Sequence, residues 1–308
     1  MSGDSGNIKN PGWYTGGLAG AMAPGAGNVY YVNGGSDGPV VDTNDGLTPA
    51  TPKQLLQSAI DLCVSNNNDY VIVLNYGGNA RAVESWPVLL NKDQVHIIGV
   101  GDVAQKWPVV SVAAPAAGDT AAAAIRVTGN RVEIAGLELG GGDTAGCLEL
   151  RTQWGANIHD CFFGVTGDGV GRDGIHVPAT FDAAYLTVWG CRFGASITRD
   201  GIRIDTQATR GMLGVSGYPS NFFDLVPGIG INIVGPVNLA GIFDNRFALN
   251  DDGTGEAITI AAGASGGFVD GNVAGSANAD PGNEPYVDTG NASFSGLNYK
   301  GITATNLT

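Results

Sequence analysis

The chain has 308 residues, of which 50 are glycine and 14% are charged, and its formal net charge is −14. This acidic balance argues against nucleic acid or an anionic membrane surface as a partner, because phosphate contacts need Lys and Arg. No apolar run approaches the roughly 18 residues of a membrane span, so we expect no membrane partner.

Residues 1–27 form a Gly-rich arm without a strand or helix period. The arm lacks the basic start and apolar stretch of a signal peptide. The four cysteines show no CxxC or metal-ligand spacing. We therefore predict a cytoplasmically made protein with buried thiols and no metal or cofactor. An arm of this composition orders only when something holds it, and we predict that Trp13 and Tyr14 dock on another subunit or a larger assembly.

Residues 28–78 begin with a strand and a Gly/Asp turn and then predict a short helix near 52–65. Its apolar positions, spaced for one helix face, are Leu55, Leu56, Ala59, Ile60 and Cys63. Such a helix can cover the open end of a stacked-sheet core. The segments "YVIVLNYGG" and "VHIIGVGD" are predicted to be the first coils after it.

A first series of six apolar-x-apolar strands recurs at intervals of 23 to 29 residues. The strands are "AIRV", "CLEL", "GIHV", "GIRI", "GINI" and "AITI". Alternate strand residues face opposite ways. We therefore predict a buried column and an outward column; the first contains Ile125, Leu148, Ile175, Ile202, Ile231 and Ile258, and the second Arg126, Glu149, His176, Arg203, Asn232 and Thr259.

A second strand series interleaves with the first. Each member has a branched aliphatic residue followed by a turn position; the aliphatic residues are Ile134, Ile158, Val188, Val215, Ile242 and Val269. The turn positions hold Leu137, Cys161, Cys191, Asn221, Asn245 and Asn272, and four members place Phe two residues later, at Phe163, Phe193, Phe223 and Phe247. With coils about 4.8 Å apart, the asparagines predict a ladder of stacked amides, with core thiols in the same column.

Two strand series at a common interval of roughly two dozen residues predict stacked coils, each too small to bury its own apolar face. The predicted fold is all-β: a single-stranded parallel β-helix over residues 28–280, between the arm and a C-terminal extension, 281–308. From about Asn28 to Ala274 the sequence resembles the right-handed, pectate-lyase-like β-helix proteins, which include phage tailspikes and other virion proteins. This resemblance is specific for fold and unspecific for function.

Family members that are enzymes cleave acidic polysaccharides with paired carboxylates, or with a basic residue beside calcium-binding acids. Asp173 and Asp200 align in neighbouring rungs, "GRDGIHV" and "TRDGIRI", with Arg203 and Asp205 beside them. Further candidates are Asp168, Glu149, His159, His176 and Arg172. The polygalacturonase-like motifs are absent, so the favoured interpretation is a solvated turn in which Arg pairs with Asp. The repeat leaves Asp205 unexplained.

The second series also predicts an outer stripe of large side chains: His159, Trp189 and Phe243. An exposed apolar stripe usually marks a contact surface. We favour a subunit interface or a covering loop, with sugar stacking on Trp189 as the alternative.

The sequence therefore favours a structural protein of a tailed-phage virion, made in the bacterial cytoplasm. We expect a capsid decoration or spike subunit, a homotrimer that contacts other capsid or tail proteins. The alternatives are a tailspike-like lyase or hydrolase, or a protein that binds host glycan.

Overall fold

A computed structural model gives the fold of the chain. It describes residues 27–35, 42–76, 82–100, 109–111, 123–142, 145–152, 154–164, 171–182, 184–205, 211–214, 218–224, 226–235, 241–249, 256–261, 265–275, 286–288, 291–293 and 299–300. Trp13 and Tyr14 lie outside these ranges, so the predicted docking of the arm remains a prediction.

The described strands form three sheets in which every pairing is parallel. Sheet A has ten strands: β1 (Val29–Asn33), β2 (Asp69–Asn75), β4 (Val95–Gly99), β7 (Val132–Ala135), β10 (Ala156–His159), β13 (Thr187–Trp189), β16 (Met212–Leu213), β19 (Gly241–Phe243), β22 (Ser265–Asp270) and β25 (Asn291–Ser293). Parallel neighbours separated by a full coil are the signature of a β-solenoid.

The other two sheets have eight strands each. Sheet B contains β3 (Val88–Leu90), β6 (Ile125–Val127), β9 (Leu148–Leu150), β12 (Ile175–Val177), β15 (Ile202–Ile204), β18 (Ile229–Ile233), β21 (Glu256–Ile260) and β24 (Tyr286–Asp288). Sheet C contains β5 (Val109–Ser111), β8 (Glu138–Gly140), β11 (Phe162–Phe163), β14 (Arg192–Phe193), β17 (Phe222–Asp224), β20 (Arg246–Ala248), β23 (Val273–Gly275) and β26 (Tyr299–Lys300). The predicted parallel β-helix is confirmed.

The second predicted strand series is two strands rather than one. Its members bend between sheets A and C at a residue with left-handed backbone, such as Asp160 at φ 51° or Gly190 at φ 64°. A left-handed residue turns the chain sharply within one position. Each coil therefore has three strands, and the turn position predicted from the sequence lies directly after this corner.

The first strand series forms sheet B in the predicted register. Ile175 pairs with Ile202, and Ile202 with Ile231, and these side chains are fully buried. Glycine precedes the strand because Gly201 packs closely against the next coil. A Cβ there would lie 2.6 Å from the carbonyl oxygen of Gly230 and equally close to the Phe223 ring. The repeated "GI" thus reflects close packing of rungs.

The four repeated phenylalanines stack inside sheet C. Phe163 and Phe193 have ring centroids 4.9 Å apart, Phe193 and Phe223 4.5 Å, and Phe223 and Phe247 4.6 Å. All four rings are buried and nearly parallel. Offset stacking of this kind adds to the apolar area that the rings bury.

The predicted amide ladder is present and buried. Asn221 Nδ2 donates to Asn245 Oδ1, and Asn245 Nδ2 donates to Asn272 Oδ1, each at 2.9 Å. Cys161 and Cys191 continue the column as free, buried thiols. One aliphatic assignment was wrong, because Leu213 pairs with Val188 and Ile242; Val215, the predicted residue, lies outside the described ranges.

A short helix, α1 (Leu56–Leu62), packs on β1 and β3 at the first coils. Leu56, Ala59 and Ile60 face the core, as the spacing predicts. The first turn is capped from a distant segment, because Glu84 Oε2 accepts the backbone N–H of Leu56 at 2.9 Å. A carboxylate at a helix N-terminus satisfies free N–H groups and complements the helix dipole.

Candidate functional site

The two aligned aspartates lie together, but in buried ion pairs. Asp173 is fully buried and accepts from both Nε and Nη2 of Arg199, with the Nε contact at 2.7 Å. Asp200 is 2% exposed and accepts from Arg203 Nη1 and Asn232 Nδ2, each at 2.9 Å. The prediction of a solvated turn was therefore wrong, since both carboxylates are buried and each bonds to a side chain of a neighbouring rung.

Asp205, which the repeat left unexplained, has a similar role. Its Oδ2 contacts His176 Nε2 at 2.9 Å, and its Oδ1 lies 2.7 Å from Arg203 Nε. His176 lies one rung before Asp205, so the contact joins β12 to the end of β15. Burial alone would lower the pKa of Arg203, but Asp200 and Asp205 outweigh it and raise that pKa.

These contacts count against acid–base catalysis by the predicted candidates. A glycoside hydrolase needs one carboxyl group held protonated and a second one free to attack or to activate water. Asp173, Asp200 and Asp205 each face a guanidinium group instead. The cluster therefore contains the residue types of an active site, but its carboxylates are bound in ion pairs that join neighbouring rungs.

Replacing Asp200 with Asn should lower the free energy of unfolding by about 2 kcal/mol, because the substitution removes the negative charge from a buried ion pair. The loss is not larger because Arg199 and Arg203 are partly exposed and stay hydrated. Urea unfolding followed by circular dichroism measures this. The matched control is Asp224→Asn, whose partner Arg192 is half exposed, and it should cost about 0.5 kcal/mol or less. Equal losses in both variants would contradict the structural role of Asp200.

The predicted outer stripe is not exposed. His159 is 1% exposed and Trp189 is 8% exposed, because their rings stack on each other with centroids 4.3 Å apart and planes 2° apart. Tyr218 packs at a tilt against Trp189. The side chains do point outward from sheet A, but neighbouring rungs cover one another. Sugar stacking on Trp189 is thereby disfavoured, and Phe243 is only partly exposed.

Glu133 links the histidines on this face. Its Oε2 lies 2.7 Å from His96 Nδ1, and its Oε1 lies 2.8 Å from His159 Nε2. Burial alone would raise the pKa of Glu133, but hydrogen bonds from His159 and His96 outweigh it and lower that pKa to about 2. Burial would likewise lower the pKa of His159, yet Asp160 and Glu133 raise it to about 9. His159 is therefore a buried imidazolium at neutral pH.

Beside this cluster lies an open cleft of about 470 Å³ that sequence reasoning missed. Glu133 and Asn157 lie in its lining, and Trp154 and Tyr185 bring aromatic surface to it. The two rings contact each other with centroids 4.8 Å apart. Trp154 is 49% exposed and Tyr185 is 37% exposed. Both precede strands of the second series, and aligning those lead-in segments could have found the pair.

The cleft edge lies at the corner where coils enter sheet A. A second, adjoining cleft of about 190 Å³ shares Arg131 and Trp154 with the first. Arg131 is exposed, and its side chain has no ion pair among the described residues. Aromatic surface, a guanidinium group without an ion pair among the described residues and hydrogen-bonding side chains are features that small-molecule sites share.

In the described part of the chain, no group of three or more His, Cys, Asp and Glu side chains is placed to hold a metal ion. The helix in that part is too short and too polar to cross a membrane. The chain matches no family model, no curated protein and no solved structure. The evidence for the parallel β-helix is therefore the structure alone, and a relation of this chain to pectate-lyase-like and phage proteins is a proposal.

Proposed function

We propose that this chain is a non-catalytic structural subunit of a tailed-phage virion, a β-helix decoration or spike anchored on the capsid exterior by residues 1–27. The observation that carries the proposal is the pairing of Asp173, Asp200 and Asp205 with arginine. The acids that could cleave a polysaccharide are thus used to join rungs. A solenoid whose rungs are joined by buried ion pairs suits a structural role.

The likeness to pectate-lyase-like and tailspike proteins supports the same proposal at the level of architecture. Cys63, Cys147, Cys161 and Cys191 are free and buried, which agrees with synthesis in a bacterial cytoplasm. The proposed partners are two further copies of the chain and other capsid or tail proteins. The second candidate, binding of host glycan without cleavage, is favoured by the exposed pair Trp154 and Tyr185.

Light scattering of the full chain tests the proposed assembly. We expect a mass three times that of one chain, and we expect Trp13→Ala with Tyr14→Ala to dissociate the trimer, because each large aromatic side chain is an interface anchor. Leu47→Ala is the matched control, since Leu47 is an exposed apolar residue outside the arm. A monomeric full-length chain with a protease-sensitive arm would contradict the assembly.

A further inference from the structure

The outer face of sheet C carries a column of exposed apolar and cationic side chains. Along five successive rungs the outward strand positions pair in register, and this column, the sheet C stripe, consists of Phe162, Arg192, Phe222, Arg246 and Val273. Phe222 is 37% exposed, Val273 is 39% exposed, and both arginines are exposed. Large apolar side chains that remain accessible in neighbouring rungs are typical of a contact surface.

The outward side chains of the other two sheets find their partners within the same chain. On sheet B, Arg126 Nε lies 2.6 Å from Glu149 Oε2. On sheet A, the rings of His159 and Trp189 stack on each other and are buried. On sheet C, Arg246 is exposed and has no ion pair among the described residues. The sheet C stripe is therefore the outer face whose charge is left for another molecule to balance.

The stripe is ordered before any partner binds. Arg192 Cζ lies 5.4 Å from the ring centroid of Phe162 and 5.9 Å from that of Phe222, which is within the range of cation–π contacts. The same guanidinium group pairs with Asp224 in the next rung. Gly194 lets the Phe162 ring lie against the sheet, because a Cβ there would be 3.0 Å from Phe162 Cε2. A surface that is already ordered loses less conformational entropy on binding.

The spacing and the charge of the stripe favour a second copy of this chain as its partner. Its side chains recur about every 4.8 Å, and another solenoid of the same kind presents side chains at the same interval, so contacts can form along the whole stripe. Aromatic residues and Arg are enriched at protein–protein interfaces, whereas Lys is depleted. Each copy has a net charge of −14, so its surface supplies carboxylates that complement the arginines.

The size of the stripe shows how much of such a contact it can supply. Five rungs, each contributing about three strand residues, form a strip of about 24 Å by 10 Å, or roughly 240 Å². A standard protein–protein contact buries about 800 Å² on each partner. The stripe is therefore one part of the contact, and residues 1–27 are the segment to which the proposed function already assigns another part.

We propose that the sheet C stripe is the surface of the solenoid through which one copy of this chain binds the next. Phe222 and Val273 pack against the neighbouring copy, and Arg246 pairs with one of its carboxylates. This inference rests on the proposed assembly of copies, and it adds the solenoid face that joins them.

Sedimentation velocity of the full chain from about 1 to 100 μM tests the proposal. We expect the wild type to associate. Val273→Glu should raise the apparent dissociation constant about a hundredfold or more, because it places an unpaired carboxylate in an apolar contact. Arg246→Glu should raise it about tenfold or more, because it reverses the charge. The matched control is Val234→Glu, which should associate like the wild type, since Val234 is also 39% exposed but follows a strand of sheet B.

Misfolding is excluded by circular dichroism and by the urea midpoint, which should stay at the wild-type values because the substituted side chains are exposed. Phe222→Ser replaces Val273→Glu if that variant does not fold. The proposal is overturned if the wild type is monomeric throughout, whatever other protein the stripe binds. It is also overturned if the folded variants Val273→Glu and Arg246→Glu both associate like the wild type, or if Val234→Glu dissociates equally.

The arm variant separates this inference from the proposed function. Association that survives Trp13→Ala with Tyr14→Ala but is lost in Val273→Glu would support the stripe and contradict docking of the arm. Association that is lost in the arm variant but survives in Val273→Glu would overturn the stripe and leave the proposed function standing.

Discussion

Replacing Asn245 with Ala is expected to lower the free energy of unfolding by about 3 kcal/mol. Asn245 Nδ2 donates to the carbonyl oxygen of Leu213 at 2.9 Å and also to Asn272 Oδ1, while Asn245 Oδ1 accepts from Asn221. Alanine leaves the Leu213 carbonyl group without this donor and breaks the ladder at its centre. A buried polar group without a partner costs about 1–3 kcal/mol, and the two neighbouring asparagines each lose one bond as well.

The chain itself supplies the control for this substitution. Cys191 occupies the same column, and its Sγ lies 3.8 Å from the carbonyl oxygen of Ile158. Asn245→Cys should therefore cost less than Asn245→Ala, since the thiol keeps a weak donor in the column. Urea unfolding of the two variants measures both losses. A loss below about 1 kcal/mol for Asn245→Ala would mean that the ladder does not hold the rungs together.

Raising the pH from 6.5 to 9 is expected to lower the free energy of unfolding by about 3 kcal/mol through His159. The folded-state pKa of His159 is raised to about 9 from an ordinary 6.5. Its contribution is therefore complete below pH 6.5 and is lost as the pH rises through 9. Glu133 behaves in the opposite way, because its pKa is lowered to about 2. Its contribution is complete above about pH 4.5 and is lost in acid.

The groups that face His159 account for the size of this effect. Glu133 lies on the preceding rung, Asp160 is the next residue, and Trp189 covers the ring from the following rung. Guanidinium chloride unfolding at several pH values measures the dependence. His159→Gln should remove most of the slope between pH 6.5 and 9. An unchanged slope in His159→Gln would contradict a buried imidazolium.

The strand columns and the ladder were predictable because a solenoid repeats one local arrangement along the chain. Alignment of Ile202 with Ile175 and of Asn245 with Asn221 follows from spacing alone, and the structure places both pairs in adjacent rungs. Helix α1 was predictable from its apolar face. The three-strand coil was not predicted, because the Gly or Asp at the corner, such as Gly190 or Asp160, was interpreted as part of a turn and not as a bend between two strands.

The alternation of strand residues between two faces of a sheet could not predict how deeply each side chain is buried. The period of two correctly assigns His159 and Trp189 to the outer face, yet both are buried because rings in adjacent rungs stack. Asp173 and Asp200 are buried for a related reason, since Arg199 and Arg203 lie over them. Burial of this kind depends on side-chain direction between rungs, which spacing does not specify.

The cleft residues were missed because they lie outside the repeating strands. Trp154 and Tyr185 belong to the lead-in segments before β10 and β13, where the rungs differ in length. Only the structure shows that the two rings contact each other across neighbouring rungs.

We propose that the acidic clusters of this β-helix join its rungs and perform no chemistry. The most direct test is incubation of the full chain with a panel of acidic polysaccharides and bacterial capsules, followed by measurement of polymer length. We expect no shortening of any polymer by the wild type or by Asp200→Asn. Turnover by the wild type that Asp200→Asn abolishes, in a variant that remains folded, would contradict it.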